Sequence, residues 1–159
     1  MTMDPLSTIV GALVGLLLMG LVVWFSMPSL MLIKHRSKCS YEDALAILSE
    51  DLQKKQDWHL VKVTDYQENT AAFGAIERVC SLSVCNPRYA SKILADDRNR
   101  GVTAFMPLAI GVYEDKKGQV YVSQLNVNLL GMMFGGTIAA MMKVAGTDLK
   151  EVVASVTAK

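Results

Sequence analysis

Three cysteines and two histidines are the residues of this sequence best suited to nucleophilic, redox or metal chemistry. Cys80 and Cys85 lie in ERVCSLSVC, which has the pattern of a β-strand. Five positions apart in a strand, their side chains point to opposite faces and lie roughly 16 Å apart. A disulfide needs Cα atoms within about 7 Å, and this spacing is not common for zinc. We therefore expect these two cysteines neither to pair locally nor to share a metal.

Cys85 differs from Cys80 because it lies at the end of the predicted strand. Asn86 and Pro87 follow it as a helix cap and a first helical residue. Backbone N–H groups at a helix N-terminus lower the pKa of a thiol, and Arg88 adds positive charge. Cys85 is therefore the candidate reactive thiol. The alternative is that it is a small buried hydrophobic residue, which is what we expect for Cys80.

The remaining cysteine and the two histidines do not form a metal-binding pattern. Cys39 follows His35 by four positions, but His59 lies beyond a predicted helix. The sequence has no serine nucleophile elbow, phosphate-binding loop or metalloprotease helix. Its carboxylates are scattered over predicted surfaces rather than paired for acid–base catalysis. We therefore expect no metal site, no cofactor, no catalytic residue and no enzymatic activity.

The N-terminal 28 residues have the properties of a transmembrane anchor. Ser7 to Phe25 contains no charged residue, and a helix of that length reaches roughly 28 Å, about the thickness of the bilayer's hydrocarbon core. The residues before it include no Lys or Arg, and no small-residue cleavage site follows, which favours a retained anchor over a signal peptide. The sequence predicts a single-pass protein of a bacterial plasma (inner) membrane, with an anchor at 1–28 and a domain at 29–159.

The charges after the predicted anchor indicate on which side of the membrane the domain lies, and the glycines within it indicate a contact with another helix. Lys34, Arg36 and Lys38 follow the apolar stretch, so the positive-inside rule favours a cytoplasmic domain. Gly11 and Gly15 form a Gly-x-x-x-Gly pair, which allows a second membrane helix to approach closely. The alternative is that these glycines only reflect the frequency of glycine in membrane helices.

The residues after the anchor predict one α+β domain. They include sixteen basic and fourteen acidic residues, since Asp4 precedes them, so no strong field attracts nucleic acid. Alternating patterns predict strands at 29–37, 59–67 and 77–85, and a hairpin around the turn at 115–118. Helices are predicted at 40–58, at 87–97, from about 128, and in a short segment from 147. This order indicates an antiparallel sheet with helices on one face.

The segment VNLLGMMFGGTIAAMMKV (127–144) has an unusual composition. Its apolar run from Leu129 to Met142 is too short for a second membrane span. Methionines adapt to irregular surfaces, and glycines permit close approach. One hypothesis is that this helix covers the sheet; the other is that part of it faces a partner or the membrane. For the second hypothesis the candidate contact residues are Gly131, Met132, Met133 and Gly135.

Three stretches carry a resemblance to a known family: VCNPRYASKILADD, AFMPLAIGVYEDKKGQVYVSQLN and LLGMMFGGTIAAMM. Through their Asn-Pro, Met-Pro, Val-Tyr-Glu-Asp and Phe-Gly-Gly motifs, residues 29–145 resemble the domain-of-unknown-function family 302. The resemblance implies a small α+β sandwich similar to the TATA-binding-protein-like fold, and it implies no established activity. Some membrane-anchored relatives carry one cysteine before Asn-Pro and another after Met-Pro. Here Cys85 occupies the first position, but Leu108 occupies the second.

Three functions follow from these observations as hypotheses. The one we favour is a single-pass accessory subunit whose anchor and last helix contact a larger membrane complex, with the lipid bilayer as its setting. The first alternative is a thiol-based redox or sulfur-carrier protein that acts through Cys85. The second is a module that binds a small ligand or cofactor between the sheet and the helices.

Overall fold

The computed structural model describes residues 5–157, and its first element is one long helix. Helix α1 (Pro5–Met31) continues directly into strand β1 (Leu32–Arg36). The side chains of residues 9–25 are all exposed, and Thr8–Met31 is long and apolar enough to cross a membrane. The predicted anchor is thus observed as a helix, apart from residues 1–4, which lie outside the described part.

The boundary between α1 and β1 lies three residues further along the chain than the sequence predicted. Residues 29–31 were expected in a strand but form the last turn of the helix. Asn126 explains the extension, because it satisfies two carbonyl groups that a helix C-terminus leaves without partners. Its backbone N–H donates to the Met31 carbonyl at 2.7 Å, and its side-chain Nδ2 donates to the Leu30 carbonyl at 3.0 Å.

The rest of the described chain alternates between strands and helices, broadly as predicted. Its elements are α2 (Tyr41–Lys54), β2 (His59–Asp65), α3 (Tyr66–Thr70), β3 (Val79–Cys85), α4 (Pro87–Leu94), a 3₁₀ helix (Asp97–Phe105), β4 (Leu108–Glu114), β5 (Val120–Leu125), α5 (Val127–Phe134) and α6 (Gly136–Ala154).

The five strands form one antiparallel sheet in the order β1-β5-β4-β3-β2. The register pairs Leu32 with Leu125, Val84 with Leu108, and His59 with Cys85. One end of the sheet therefore contains the junction of α1 with β1, the last residues of β5 and β3, and the first residues of β4 and β2. We call this the proximal end and the opposite one the distal end.

The core lies between one face of the sheet and the helices α2 and α6. Strand β3 shows the expected alternation, since Cys80, Leu82 and Val84 are buried and the residues between them are partly exposed. Leu48 of α2 and Leu149 of α6 cover these strand residues from the helix layer. Burial of each such leucine contributes roughly 1.5–3 kcal/mol. The predicted α+β class, with helices on one face of an antiparallel sheet, is confirmed.

The last helical segment breaks at a different point from the one predicted. The sequence predicted a helix from about 128 and a new one from Thr147, but Thr147 lies inside α6. The break falls between α5 and α6, where Gly135 and Gly136 have φ angles of 70° and 53°. These left-handed angles favour glycine and turn the chain so that α6 packs back against α5.

Candidate functional site

The glycine pair of the anchor lies on an open face of α1. A Cβ atom added at Gly11 or Gly15 would meet no atom within 4 Å. Four positions apart on a helix, the two glycines differ by only about 40° around its axis. Gly20 is equally open, but it lies roughly 140–180° away from them, on the other side of the helix. The pair therefore forms a surface on which a second helix could pack closely.

Helix α1 is joined to the domain without a flexible linker. Leu32, the first strand residue, follows directly after Met31, the last helical residue. Met31 also packs against an apolar cluster that contains Leu130, Ile138 and Met142. Together with the two hydrogen bonds from Asn126, these contacts hold the end of α1 against the start of α5.

Two of the four residues predicted to contact a partner on 127–144 have roles inside the protein. Gly131 is buried, and a Cβ there would lie 2.8 Å from Met142 Cβ and 3.3 Å from Ala139 Cα. Its missing side chain thus allows α5 and α6 to pack closely, which corrects the idea that it faces a partner. Gly135 forms the turn between these two helices. One side of α5 therefore packs against the fold and the other is exposed, and contact of the exposed side with a partner or the membrane stays a prediction.

The other two predicted residues belong to an exposed apolar surface. Met132 is 76% exposed and Met133 is 66% exposed. Beside them, Phe134 packs edge-to-face against Phe105, with ring centroids 5.9 Å apart, and both rings remain partly exposed. We call these four residues the proximal apolar patch. Phe105 could not be predicted to join this surface because it belongs to a different element, 27 positions before Met132.

Cys85 lines a small cavity at the proximal end of the sheet. Leu108 lines it too, because Val84, the neighbour of Cys85, pairs with Leu108 across β3 and β4. The two positions, Cys85 and Leu108, are therefore close together in the fold. In this chain the second position offers only an aliphatic side chain, so Cys85 has no thiol partner there.

The pKa of the Cys85 thiol is raised by burial rather than lowered. The helix-terminal N–H groups that were expected to stabilise a thiolate are already occupied. Asn86 Oδ1 accepts hydrogen bonds from the N–H groups of Arg88 at 3.1 Å and Tyr89 at 3.2 Å. The Arg88 guanidinium lies 3.5 Å from the Asp57 carboxylate. At neutral pH Cys85 is therefore less ionised than an ordinary cysteine, which disfavours nucleophilic chemistry.

The cavity beside Cys85 is narrow and apolar. The space inside it measures about 40 Å³, which is room for a few water molecules. A cavity of this size does not enclose a cofactor in the conformation described. Its principal wall residues are Trp58, Cys85, Tyr89, Pro107, Leu108 and Met142.

The other candidate residues for chemistry are not brought together. Cys80 is 3% exposed and faces the core, as predicted for a small hydrophobic residue; burial raises the pKa of its thiol. His35 and His59 lie on β1 and β2, the two outer strands of the sheet. Cys39 packs partly buried before α2. Within residues 5–157, no three His, Cys, Asp or Glu side chains are grouped so that they could hold a metal ion.

A polar cluster around Asp148 was not predicted from the sequence. Asp148 Oδ2 accepts hydrogen bonds from Trp58 Nε1 at 3.0 Å and from the Tyr89 hydroxyl at 2.9 Å. The two rings meet edge-to-face with centroids 6.2 Å apart, and Lys55 Nζ lies 3.8 Å from Asp148 Oδ1. The cluster ties α4, α6 and the turn before β2 together. Its members come from three separate parts of the chain, so no local sequence motif predicts the cluster.

The fold and these surfaces define a class: a small two-layer α+β domain held directly at the end of an exposed apolar helix. Residues 33–156 match the family described as "Domain of unknown function DUF302", and the chain belongs to this family. The match supports the resemblance stated above. No curated protein matches the chain.

One solved structure that is similar to the chain comes from the same family. It is the crystal structure of an uncharacterized conserved protein DUF302 from Bacillus stearothermophilus. The two chains are 19% identical, and the alignment covers 78% of this chain and 96% of the other, with a TM-score of 0.67. At this identity the likeness establishes the fold and nothing about activity.

Proposed function

We propose that this protein is a single-pass membrane protein that acts as an accessory or interaction subunit of a larger membrane complex, without catalysis of its own. The observation that carries the proposal is the long α1 helix. Its side chains from residue 9 to residue 25 are exposed and apolar or small. In water this surface would be costly, whereas in a bilayer it is favourable.

The proposed place of the protein is the plasma membrane, with the domain on the cytoplasmic side. Lys34 and Arg36 in β1, and Lys38 just after it, are the first charged residues after α1. Basic residues that close to a membrane helix favour retention on the cytoplasmic side. The raised pKa of Cys85 and the absence of a thiol at Leu108 give the redox alternative no support.

The proposed contact with the partner is made inside the membrane through Gly11 and Gly15. Lipid tails are as apolar as the helix surface, so helices in a membrane associate through close packing rather than through the hydrophobic effect. The open backbone at the two glycines permits that packing. The partner is therefore expected to be a membrane protein that supplies a helix of its own.

The double variant Gly11→Leu plus Gly15→Leu tests this contact. Two leucines would hold the helices apart, so the partner should be lost when the complex is purified in mild detergent. Insertion should be unchanged, because leucine is favourable in lipid. The measurement compares the proteins that co-purify with the wild type and with the double variant, and it checks that both remain in the membrane fraction.

Gly20→Leu is the matched control, because it adds the same side chain on the opposite side of α1. It should retain the partner. If the double variant keeps its partner as well as the wild type does, the contact does not lie on the Gly11/Gly15 face. Loss of the partner from both the double variant and Gly20→Leu would mean that added leucines disrupt the complex on either side of α1, which contradicts a contact specific to the Gly11/Gly15 face.

A further inference from the structure

We propose that the proximal apolar patch (Phe105, Met132, Met133 and Phe134) rests in the interfacial layer of the bilayer, so that the domain is docked on lipid rather than suspended above it. The proposal depends on the proposed function in one respect only, namely that α1 spans the membrane. It adds a second lipid contact, made by the folded domain.

The sheet register places the patch at the end of the domain that α1 enters. Strand β5 runs antiparallel to β1 and ends at Leu125, opposite Leu32. Helix α5 then begins within two residues of that point, and Phe105 lies three residues before the start of β4, at the same end of the sheet. The contact between Phe105 and Phe134 joins these two segments into one surface.

The length of α1 determines how far the proximal apolar patch lies from the hydrocarbon core of the membrane. A helix of 27 residues is about 40 Å long, whereas the hydrocarbon core is about 30 Å thick. No charged residue occurs between Pro5 and Ile33 to hold the last turns out of the lipid. The whole bilayer, including its headgroup layers, is about 40–45 Å thick. Because Leu32 follows the helix without a linker, a helix centred on the bilayer places the proximal end of the domain at the level of the headgroups.

The composition around the patch fits an apolar lipid contact. Residues 101–113 and 119–142 contain no charged side chain. The nearest cations in the 3₁₀ helix are paired locally: Arg98 lies 2.8 Å from Asp96, and Arg100 lies 2.8 Å from Asp97. The patch therefore offers no free positive charge that would require anionic lipid, and docking should persist in zwitterionic vesicles at high salt.

The distal end of the sheet has the opposite character. The turn between β4 and β5 contains Asp115, Lys116 and Lys117. Nearby, Arg78 is paired with Glu114 at 2.5 Å. The proximal end also carries charge where β2 and β3 meet, as in the pair of Arg88 and Asp57, but the segments that form the patch are uncharged. The domain is therefore expected to turn the patch toward the lipid and the charged turn at 115–117 toward water.

Lipid fits the patch better than a protein partner does. Four partly exposed side chains present well under the roughly 800 Å² that each side of a stable protein interface contributes. Methionine and phenylalanine are, in contrast, suited to the boundary between headgroups and acyl chains, where a shallow apolar surface suffices. The anchor already supplies most of the attachment, so this contact needs only to set the orientation of the domain.

Quenching of tryptophan by brominated lipid tests the proposal in the full chain. The protein is reconstituted into phosphatidylcholine vesicles whose acyl chains carry bromine near the glycerol backbone. In a Trp24→Phe background, which leaves the buried Trp58, a new tryptophan is introduced as Met133→Trp. The added fluorescence should be lost in brominated vesicles, and the loss should be the same in high salt.

Phe73→Trp is the matched control, because Phe73 is 92% exposed in the loop after β2, at the distal end. It should not be quenched. Met132→Trp is a second patch variant, which should give the same result as Met133→Trp and replaces it if Met133→Trp folds poorly.

Quenching of Trp24 in the otherwise unchanged chain tests separately whether α1 lies in the bilayer. If Trp24 is quenched and neither patch variant is, lipid docking is overturned while the anchor stands. If Trp24 is not quenched, the spanning helix is overturned and lipid docking with it.

Discussion

Deletion of residues 1–28 is expected to turn a protein that requires detergent into a soluble, folded domain. Most of the exposed large apolar side chains lie on α1, whereas the core is built from residues after Leu32. The cut retains Leu30 and Met31, because their carbonyl groups accept hydrogen bonds from Asn126. The measurement is sedimentation without detergent, together with circular dichroism to confirm the folded state.

A longer deletion of residues 1–36 serves as the contrast. It removes β1, which pairs along β5, and leaves β5 as an unpaired edge strand. Exposed edges promote aggregation, so the longer deletion should be insoluble or poorly folded. If the deletion of residues 1–28 is insoluble while the full chain extracts well, the apolar surface that causes insolubility lies in the domain rather than in α1.

Asp148→Ala is expected to lower the free energy of unfolding by about 2–4 kcal/mol. The substitution removes the charged acceptor of two hydrogen bonds, from Trp58 Nε1 and the Tyr89 hydroxyl. Trp58 is only 5% exposed, so water cannot readily replace the carboxylate at its N–H group. Chemical unfolding in mild detergent, followed by Trp58 fluorescence in a Trp24→Phe background, measures the change.

Two variants separate the buried hydrogen bonds from the surface charges. Glu151→Ala removes an exposed ion pair with Lys55 and should cost less than about 1 kcal/mol. Asp148→Asn keeps an oxygen that can accept both hydrogen bonds at the position of Oδ2, but without the charge that strengthens them, so its stability should fall between those of the other variants. An Asp148→Ala protein no less stable than Glu151→Ala would show that the cluster does not contribute to the stability of the fold.

Features with a local cause could be predicted from the sequence. Ser40 was expected to cap α2, and its hydroxyl accepts a hydrogen bond from the Asp43 N–H at 3.1 Å. Asn86 was expected to cap α4, and it does so with Pro87 at the start of the helix. The period-two alternation placed Cys80 in the core because strand geometry alone decides which face a residue occupies.

Features with a tertiary cause could not be predicted in this way. Helix α1 continues to Met31 because Asn126, far along the chain, satisfies its last carbonyl groups. The break at Gly135 depends on a left-handed backbone conformation that glycine permits but does not require. The pKa of Cys85 was expected to be lowered, but it is raised because the fold buries the thiol, and that burial depends on residues elsewhere in the chain.

The candidate surfaces were predicted only in part for the same reason. The adjacent Met132 and Met133 were recognised, but Phe105, whose ring packs against Phe134 beside them, belongs to another element. Gly131 looked like a contact for a partner, yet it serves the packing of α5 on α6. A sequence shows that a segment is apolar; which side of it the fold covers depends on residues elsewhere.

The central claim is that α1 is a retained membrane anchor and not a segment removed during export. The most direct test fractionates cells that make the full chain, washes the membranes with alkaline carbonate, and measures the intact mass of the protein that remains. We predict that the protein stays in the membrane pellet with the mass of a chain that still includes α1. A protein released by carbonate, or one whose mass shows that α1 has been cleaved away, would contradict the account.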